Sequence, residues 1–250
     1  MKTLLNLVRK KISDASCYHK ANIPPKTKAI SFTFDDAPKS AFVNAQNILN
    51  DNNKKGTYYI ALSFLESKPE NEDYFNVEDL KKCVTNGHEL ACHTYSHIHL
   101  YSTKGKGIVE VELSKNRKAL QEIGVKDDFL NFSYPFGEQT RQAKKVLSKR
   151  FLTCRGIDHG INRDRVDANN LKAIKLYENT HSLMKIYSLL EEFSDKGGWL
   201  VFYTHDVETN YSRFGCSPEY FEAVVKKCVE LDIEIKTVKE MTQELGITKN

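Results

Sequence analysis

Short stretches of alternating apolar and polar residues recur along the chain, and segments with helical spacing separate them. The clearest stretch, residues 29–34, places apolar side chains on either side of Ser31 and Thr33, which is the period-2 pattern of a strand. Pro38 then opens a segment whose apolar residues recur at helical spacing. This regular exchange of strand and helix patterns predicts an α/β fold.

The same patterns predict seven further strands, at residues 57–61, 88–92, 129–134, 151–154, 173–176, 199–203 and 233–235. They predict helices at residues 38–49, 77–85, 107–123, 138–149, 182–193 and 218–231, and a short helix after 237. Three polar residues are predicted helix caps: Asn76, Thr180 and Ser217. Residues 156–170 are predicted to be irregular.

Strand and helix alternate throughout residues 29–250, which indicates a parallel sheet with right-handed crossovers, closed or nearly closed as a barrel. A chain of 250 residues suits one such domain. Residues 1–28 are predicted to be an N-terminal helix and a polar linker that ends in Pro24-Pro25. We therefore place the barrel domain at residues 29–250.

The composition is typical of a globular protein, with 40% hydrophobic residues, 28% charged residues and a net charge of +4. Basic and acidic residues are mixed along the chain, which argues against a nucleic-acid partner. The first apolar run is too short for a signal peptide, and no stretch is long enough to span a membrane. We therefore expect a cytoplasmic protein without stable membrane insertion.

Six cysteines occur without a C-x-x-C pair. Their spacing matches neither a zinc ribbon nor a disulfide framework, and several lie in apolar runs. We expect buried, reduced thiols that pack as small apolar side chains.

Chemically versatile side chains follow the ends of several predicted strands. Asp35 and Asp36 follow the first strand, His93 the third and His205 the seventh. In a parallel barrel the carboxyl ends of the strands converge on one face, so residues far apart in sequence become neighbours. Together these residues offer the carboxylates and imidazoles that a metal-dependent hydrolase needs.

His93 and His97 are four positions apart, a spacing that places two imidazoles on one side of a helical turn or tight loop. Two neutral histidines and one aspartate form a familiar ligand set for a catalytic divalent cation. Each residue taken alone also fits a structural role, since Asp36 suits a helix cap and the histidines suit a polar surface. His88 and His99 are weaker ligand candidates, because His88 begins its strand and His99 is out of register with His93.

Four motifs occur in a fixed order: Thr33-Phe34-Asp35-Asp36, His93-Thr94-Tyr95-Ser96-His97, Tyr134-Pro135-Phe136-Gly137 and Leu200-Val201-Phe202-Tyr203-Thr204-His205. Their order and spacing resemble those of the polysaccharide deacetylase family, the NodB-homology domain of carbohydrate esterase family 4. The resemblance covers most of the chain. It implies a distorted, incomplete (β/α) barrel of seven or eight strands, which the alternation of strands and helices indicates independently.

The resemblance also implies a role for each matching residue. Asp35 would be the general base, His205 the general acid, and the backbone N–H of Phe136 would help bind the oxyanion. Three residues would hold a divalent cation: Asp36, His93 and His97. Zinc suits this ligand set best, and cobalt, nickel, manganese or iron fits the same ligands.

The third motif departs from the family pattern, which usually begins with an arginine that orients the base. That position here is Ser133, and a neutral hydroxyl cannot replace a bidentate guanidinium. Arg155 follows the next strand, and we predict that it substitutes; the alternative is a surface arginine. The family's carboxylate that holds the acid histidine has no clear match, and three candidates remain: Asp158, Asp164 and Asp167.

The resemblance implies a metal-dependent hydrolase that removes N-acetyl groups from an amino sugar. The predicted location favours a nucleotide- or lipid-linked sugar in surface-polysaccharide biosynthesis. Two alternatives stay open: an amide hydrolase acting on a small non-sugar substrate, and a non-catalytic carbohydrate-binding relic, which Ser133 keeps in consideration. Trp199, Tyr95 and Tyr101 are candidates for stacking on a sugar ring, although core positions suit them at least as well. Neither the exact sugar nor the oligomeric state follows from the sequence.

Overall fold

The computed structural model describes residues 2–68, 73–103 and 106–249. Its main sheet is made of parallel strands: β2 (Lys28–Asp35), β3 (Thr57–Ile60), β4 (Glu89–Cys92), β5 (Asn131–Ser133), β6 (Thr153–Arg155), β8 (Ile174–Lys175), β9 (Gly198–Thr204) and β10 (Glu234–Ile235). A small second sheet pairs two strands antiparallel: β1 (Lys20–Ile23) and β7 (Asp164–Asp167).

Neighbouring strands in the main sheet follow the order β6, β5, β4, β3, β2, β9, β8. The first half of β2 also pairs with β10, on the edge that its second half shares with β3. β6 and β8 stand at the two ends of this order, so the curled sheet stays open between them. This half-barrel confirms the predicted distorted, incomplete (β/α) barrel with eight parallel strands.

Helices separate the strands and cover the outer face of the sheet: α1 (Lys2–Asp14), α2 (Gln46–Asp51), α3 (Val77–Thr85), α4 (Lys106–Glu122), α5 (Arg141–Leu147), α6 (Leu183–Lys196), α7 (Pro218–Glu230) and α8 (Val238–Glu244). Asn76 and Ser217 cap α3 and α7 as predicted. The cap of α6 is Ser182, not Thr180, since the Ser182 hydroxyl accepts the Lys185 N–H at 3.4 Å.

The side chains of β2 alternate between two environments. Its apolar residues join a large buried cluster with side chains from the surrounding helices. The intervening residues Ser31, Thr33 and Asp35 face the opposite side, into the barrel, because successive side chains of a strand point to opposite faces. The polar positions of the sequence pattern therefore line the barrel interior and lead up to the carboxyl ends of the strands.

Two segments differ from the sequence prediction, which placed a linker at residues 20–23 and irregular chain at 164–167. They form β1 and β7, with Lys20 opposite Asp167 and Ile23 opposite Asp164. Charged residues have weak strand propensity, so only the pairing of distant segments makes these strands. The helix predicted at 38–49 begins as a π-helical turn, Ala41–Ala45, before α2. The domain boundary at residues 28 and 29 stays a prediction.

All six cysteines are free thiols, and five of them are buried, as expected; Cys17 is exposed. Among the described residues, no helix combines the length and apolar character needed to cross a bilayer.

Candidate active site

The predicted site residues converge where the parallel strands end. Six of them line a cavity of about 770 Å³: Asp35, Asp36, His93, His97, Phe136 and His205. The seventh, Arg155, lies fully buried against Asp35. The barrel thus brings together residues from β2 and β6 and from the loops after β2, β4, β5 and β9.

Asp36, His93 and His97 form a cluster with the composition of a metal site. One ligand atom from each lies within 4.8 Å of the others. Asp36 Oδ1 is 3.6 Å from His93 Nε2 and 3.3 Å from His97 Nε2. These three side chains are the candidate cation ligands that the resemblance implied.

The protonation of the two histidines suits a cation. His93 Nδ1 lies 2.9 Å from the carbonyl oxygen of Ser133, which can only accept, so the ring proton belongs on Nδ1 and the Nε2 lone pair faces Asp36. Burial lowers the pKa of His93 to about 4 and the pKa of His97 to about 2. Both rings are therefore neutral near pH 7, and the residues fit a divalent cation.

Arg155 reaches Asp35 from β6, four places along the sheet from β2. β5 and β6 pair with Ser133 opposite Arg155, so the guanidinium occupies the level at which the family pattern expects an arginine. Arg155 Nη2 donates a hydrogen bond to Asp35 Oδ1. The rings of Tyr59 and Tyr203 flank the guanidinium, with centroids 5.3 and 4.9 Å from Cζ. The alternative of a surface arginine is wrong, since Arg155 is fully buried.

The charge on Asp35 is set by its neighbours. Burial alone raises the pKa of this carboxyl, but the positive charge of Arg155, with smaller contributions from the neighbouring imidazoles of His93 and His205, outweighs burial and holds it below its usual value. The Ser133 hydroxyl lies 3.4 Å from Asp35 Oδ1 and 2.6 Å from His93 Nδ1. Asp35 is therefore an ionised, buried carboxylate beside the candidate metal ligands.

His205 lies at the end of β9, with Nε2 3.9 Å from Asp36 Oδ2. Burial lowers the pKa of His205, and the carboxylates of Asp35 and Asp206 oppose that shift in part. Its Nδ1 is buried and has no hydrogen-bond partner in the described part of the chain. Asp206 instead accepts hydrogen bonds from the N–H and the hydroxyl of Ser212, at 2.5 and 2.6 Å, and so holds the loop that follows.

The three aspartates considered for orienting His205 lie elsewhere. Asp158 pairs with Lys10 at 2.8 Å, and Asp167 pairs with Lys144 at 2.6 Å. Asp164 is exposed on β7. The sequence alone did not distinguish among these three candidates for the carboxylate that orients His205. In the structure, none of the three contacts the His205 imidazole.

Phe136 lies in the turn Pro135–Gly137, which lines the cavity. Its ring stacks on His99, with centroids 3.8 Å apart and planes at 8°. His99 Nδ1 lies 3.0 Å from Glu138 Oε1, and this contact holds His99 outside the ligand cluster. His88 accepts the Gly56 N–H at 3.0 Å, at the start of β4. Neither of these histidines belongs to the candidate metal site.

Backbone strain concentrates around this cavity. Five of the nine non-glycine residues with positive φ in the described chain lie in its motifs or directly after one: Asp36, Ala37, Thr94, His97 and Phe136. Such conformations cost of order 1–3 kcal/mol each and persist where surrounding structure holds them, commonly at functional sites. The motif loops are therefore shaped for placing particular groups rather than for minimum energy.

The aromatic lining differs from the sequence expectation. Trp199 is fully buried and donates to the Ser31 hydroxyl at 3.0 Å, and Tyr95 and Tyr101 lie outside the cavity lining. The aromatic residues that line the cavity besides Phe136 are Tyr74, Tyr134, Tyr177, Tyr203 and Phe214. Tyr177 and Tyr203 follow or close predicted strands, which was an available signal. Phe214 lies in a loop that carries no sequence pattern.

A family model described as polysaccharide deacetylase matches residues 22–153. This chain belongs to the polysaccharide deacetylase family. The match includes the motifs with Asp35, Asp36, His93 and His97, so the resemblance to the NodB-homology domain of carbohydrate esterase family 4 is confirmed.

Other polysaccharide deacetylases and structures share parts of this chain's sequence or its fold. The chitooligosaccharide deacetylase of Azorhizobium caulinodans is 26% identical over 130 residues, which cover 52% of this chain and 58% of that protein. A family 4 acetyl xylan esterase from Clostridium thermocellum superposes with a TM-score of 0.64 at 14% identity, covering 89% of this chain and 94% of that one. A family 4 pseudoenzyme from Bacillus anthracis superposes with a TM-score of 0.59 at 13% identity, covering 88% of this chain and 66% of that one. The two structural likenesses show the fold.

Proposed function

We propose that this protein removes the N-acetyl group from an amino sugar by metal-dependent hydrolysis. One observation carries the proposal: the Asp36, His93 and His97 cluster lies in the same cavity as Asp35 and His205. That grouping combines a cation site, an ionised carboxylate and a half-buried imidazole, which are the groups that amide hydrolysis requires. Membership of the polysaccharide deacetylase family supports a sugar substrate.

Asp36, His93 and His97 would hold the cation, and zinc is our expectation from this ligand set. A divalent cation bound there would supply Lewis-acid chemistry, polarising the amide carbonyl and lowering the pKa of water. The hydrogen bond from His93 Nδ1 to the Ser133 carbonyl fixes the ring, and Nε2 is directed toward Asp36.

Two side chains would move the protons. Asp35, kept ionised by Arg155, would accept the proton of the attacking water. His205 would donate a proton to the leaving nitrogen, and because burial lowers the pKa of His205, its protonated form is a stronger acid than free imidazolium. The backbone N–H of Phe136 would donate to the oxyanion. Arg155 would act as a positioning residue that orients Asp35.

Within this reaction class, a nucleotide- or lipid-linked sugar used in surface-polysaccharide biosynthesis remains our expectation. This expectation and the proposed cytoplasmic location both rest on the sequence.

The test is acetate release from N-acetylglucosamine, uridine diphosphate N-acetylglucosamine and short chitooligosaccharides. The protein is stripped of metal, reloaded with zinc or cobalt, and compared with Asp35→Asn and His97→Ala. We expect release to need metal, Asp35→Asn to lower kcat about 1,000-fold with metal retained, and His97→Ala to lose metal. Asp51→Asn, an exposed aspartate at the end of α2, is the matched control and keeps wild-type activity.

Three outcomes would contradict the proposal. Turnover confined to small non-sugar amides would assign the other amide-hydrolase function. Sugar binding without turnover, unaffected by Asp35→Asn, would identify a binding relic. A protein that binds no metal would show that the ligand assignment is wrong.

A further inference from the structure

One wall of the cavity joins aromatic rings to two cationic side chains. Lys175 Nζ lies 6.0 Å from the ring centroid of Tyr177, and Arg213 Cζ lies 4.4 Å from that of Phe214. The Tyr177 and Phe214 rings contact each other edge to face at 5.8 Å. All four residues line the cavity. We call this set the cationic wall.

His205 lies against the middle of the cationic wall. Its ring centroid is 5.9 Å from that of Tyr177 and 5.2 Å from that of Phe214. The loop carrying Arg213 and Phe214 is held in place, because Asp206 binds Ser212 and the His205 N–H donates to the Phe214 carbonyl at 3.2 Å. Each cation therefore lies over an aromatic ring that itself contacts the imidazole of His205.

The two cations of the cationic wall form no ion pair among the described residues, although Asp206 lies beside the same loop through its hydrogen bonds to Ser212. Among the described residues, neither Lys175 nor Arg213 has a carboxylate within 4.0 Å, whereas the other cavity-lining charges, Asp35 and Asp36, face Arg155 and the two ligand histidines. A cation lining a cavity without a partner is available to a ligand.

One buried imidazole lies within electrostatic range of Lys175. His181 is only 8% exposed, and in the described chain neither of its ring nitrogens has a hydrogen-bond partner. Burial lowers the pKa of His181, and the nearby positive charges of Lys185, Lys175 and His159 lower it further. His181 is therefore neutral near pH 7 and adds no positive charge to the cationic wall.

The position of His205 decides which part of a substrate meets this wall. In the proposed function, which this inference rests on, His205 protonates the leaving nitrogen. That nitrogen belongs to the amino sugar, not to the acetyl group. The sugar ring must therefore lie next to His205, with its apolar face against Tyr177 or Phe214, and its substituents extend toward Lys175 and Arg213.

We propose that the substrate is an N-acetylated amino sugar carrying a phosphate group, and that Lys175 and Arg213 are the specificity-determining residues that bind the phosphate. Both side chains donate hydrogen bonds and carry a positive charge, as phosphate oxygens require. A neutral oligosaccharide offers these cations hydroxyl oxygens as acceptors but no negative charge.

The test compares three compounds in zinc-loaded protein: N-acetylglucosamine, N-acetylglucosamine 1-phosphate and N-acetylmuramic acid, which carries a carboxylate instead. Acetate release and binding by calorimetry are measured for each. We expect the phosphate compound to have a kcat/KM at least tenfold above the neutral sugar, a preference that weakens as salt rises. Lys175→Gln and Arg213→Gln are each expected to reduce that preference about tenfold, through KM rather than kcat.

Lys118→Gln is the matched control, since it removes one positive charge from an exposed lysine on α4 that pairs with Glu122 at 3.5 Å. It is expected to leave the preference unchanged. Equal kcat/KM for the neutral and phosphate sugars, unchanged in both wall variants, would overturn the phosphate subsite while leaving the proposed deacetylation intact. A higher kcat/KM for N-acetylmuramic acid than for the phosphate sugar would overturn the phosphate assignment and show that Lys175 and Arg213 bind a carboxylate.

Calorimetry separates this inference from the proposed function. If no compound releases acetate, the deacetylase proposal fails. Phosphate-dependent binding that Lys175→Gln and Arg213→Gln weaken would still support the cationic wall. Binding of the phosphate sugar that neither variant weakens would place the phosphate elsewhere and overturn the assignment.

Discussion

Arg155 is the only cation with a direct ion pair to Asp35 in the described part of the chain. It is fully buried between Tyr59 and Tyr203 and comes from the strand next to the one carrying Ser133. At the residue scale, the sequence could indicate Arg155 because it directly follows a predicted strand. It could not establish the contact, because that depends on the register between β5 and β6.

Removing the guanidinium of Arg155 is expected to reduce the activity of Asp35 as a base more than any substitution of Ser133 does. In Arg155→Ala, burial would act on Asp35 with less opposing charge, so the pKa of Asp35 rises. The acid limb of kcat/KM then moves to higher pH, and kcat near pH 7 falls about 100-fold. The measurement is the pH–rate profile of wild type, Arg155→Ala and Arg155→Lys, with bound metal counted.

Arg155→Lys keeps a positive charge and is expected to recover part of the loss and part of the pH shift. A purely structural role for Arg155 would lower activity without moving the acid limb. Loss of activity in Ser133→Ala with none in Arg155→Ala would assign the orientation of the base to Ser133 instead.

At the scale of elements, Lys144 on α5 joins three segments that the sequence treated separately. Its side chain is fully buried, and Nζ donates to the Ser13 carbonyl at the end of α1 and to Asp167 Oδ2 on β7, at 3.1 and 2.6 Å. A cation at a helix C-terminus is favourable. The β1–β7 pair and α1 are therefore attached to the barrel partly through one lysine, which no local pattern distinguishes from its exposed neighbours.

Replacing Lys144 by Met is expected to destabilise the fold by about 3 kcal/mol, because it leaves a half-buried carboxylate and a helix-end carbonyl without their donor. For a chain of this size that corresponds to a fall in Tm of about 6–12 °C. Thermal unfolding followed by circular dichroism measures it. Lys145→Met, at the exposed next position of α5, is the matched control and is expected to change the free energy of unfolding by less than about 0.5 kcal/mol.

The double variant Lys144→Met, Asp167→Asn distinguishes charge from packing. If the unpaired Asp167 carboxylate causes the loss, the double variant recovers part of it. Equal melting temperatures for Lys144→Met and Lys145→Met would contradict this account of the attachment.

At the scale of the whole molecule, a polar network closes the barrel at the amino ends of the strands. Glu89 at the start of β4 accepts hydrogen bonds from Thr57 Oγ1, Asn131 Nδ2 and the Lys239 N–H, at 2.8, 2.7 and 2.8 Å. These donors come from β3, β5 and α8. Burial raises the pKa of Glu89 to about 7, although the three hydrogen bonds oppose the shift.

The raised pKa of Glu89 makes stability depend on pH. The folded state binds the proton of the Glu89 carboxyl more tightly than the unfolded chain does. The contribution of this proton to the free energy of unfolding is therefore complete below about pH 4.5 and is lost as pH rises to about 7. The change is of order 3 kcal/mol. Buried histidines act in the opposite direction at low pH, since His88 has a pKa lowered to about 3 by burial. Urea unfolding of wild type and Glu89→Gln side by side, from pH 5 to 8, isolates the contribution of Glu89.

We expect the free energy of unfolding of wild type, relative to Glu89→Gln, to decrease across this range. A constant difference between the two proteins would mean that Glu89 stays ionised in the fold throughout, supported by its three donors.

The chain's own pattern was sufficient for the order of strands and helices, for the polar interior face of β2 and for the placement of Asp35, Asp36, His93 and His205 at strand ends. Those features follow from periodicities of two and 3.6 residues, which are visible within a few positions. Only the tertiary structure decided the β1–β7 pair, the Arg155–Asp35 contact, the Lys144 attachment and the cationic wall around His205. Each joins segments far apart in sequence, and whether they meet depends on strand order and register, which no local pattern encodes.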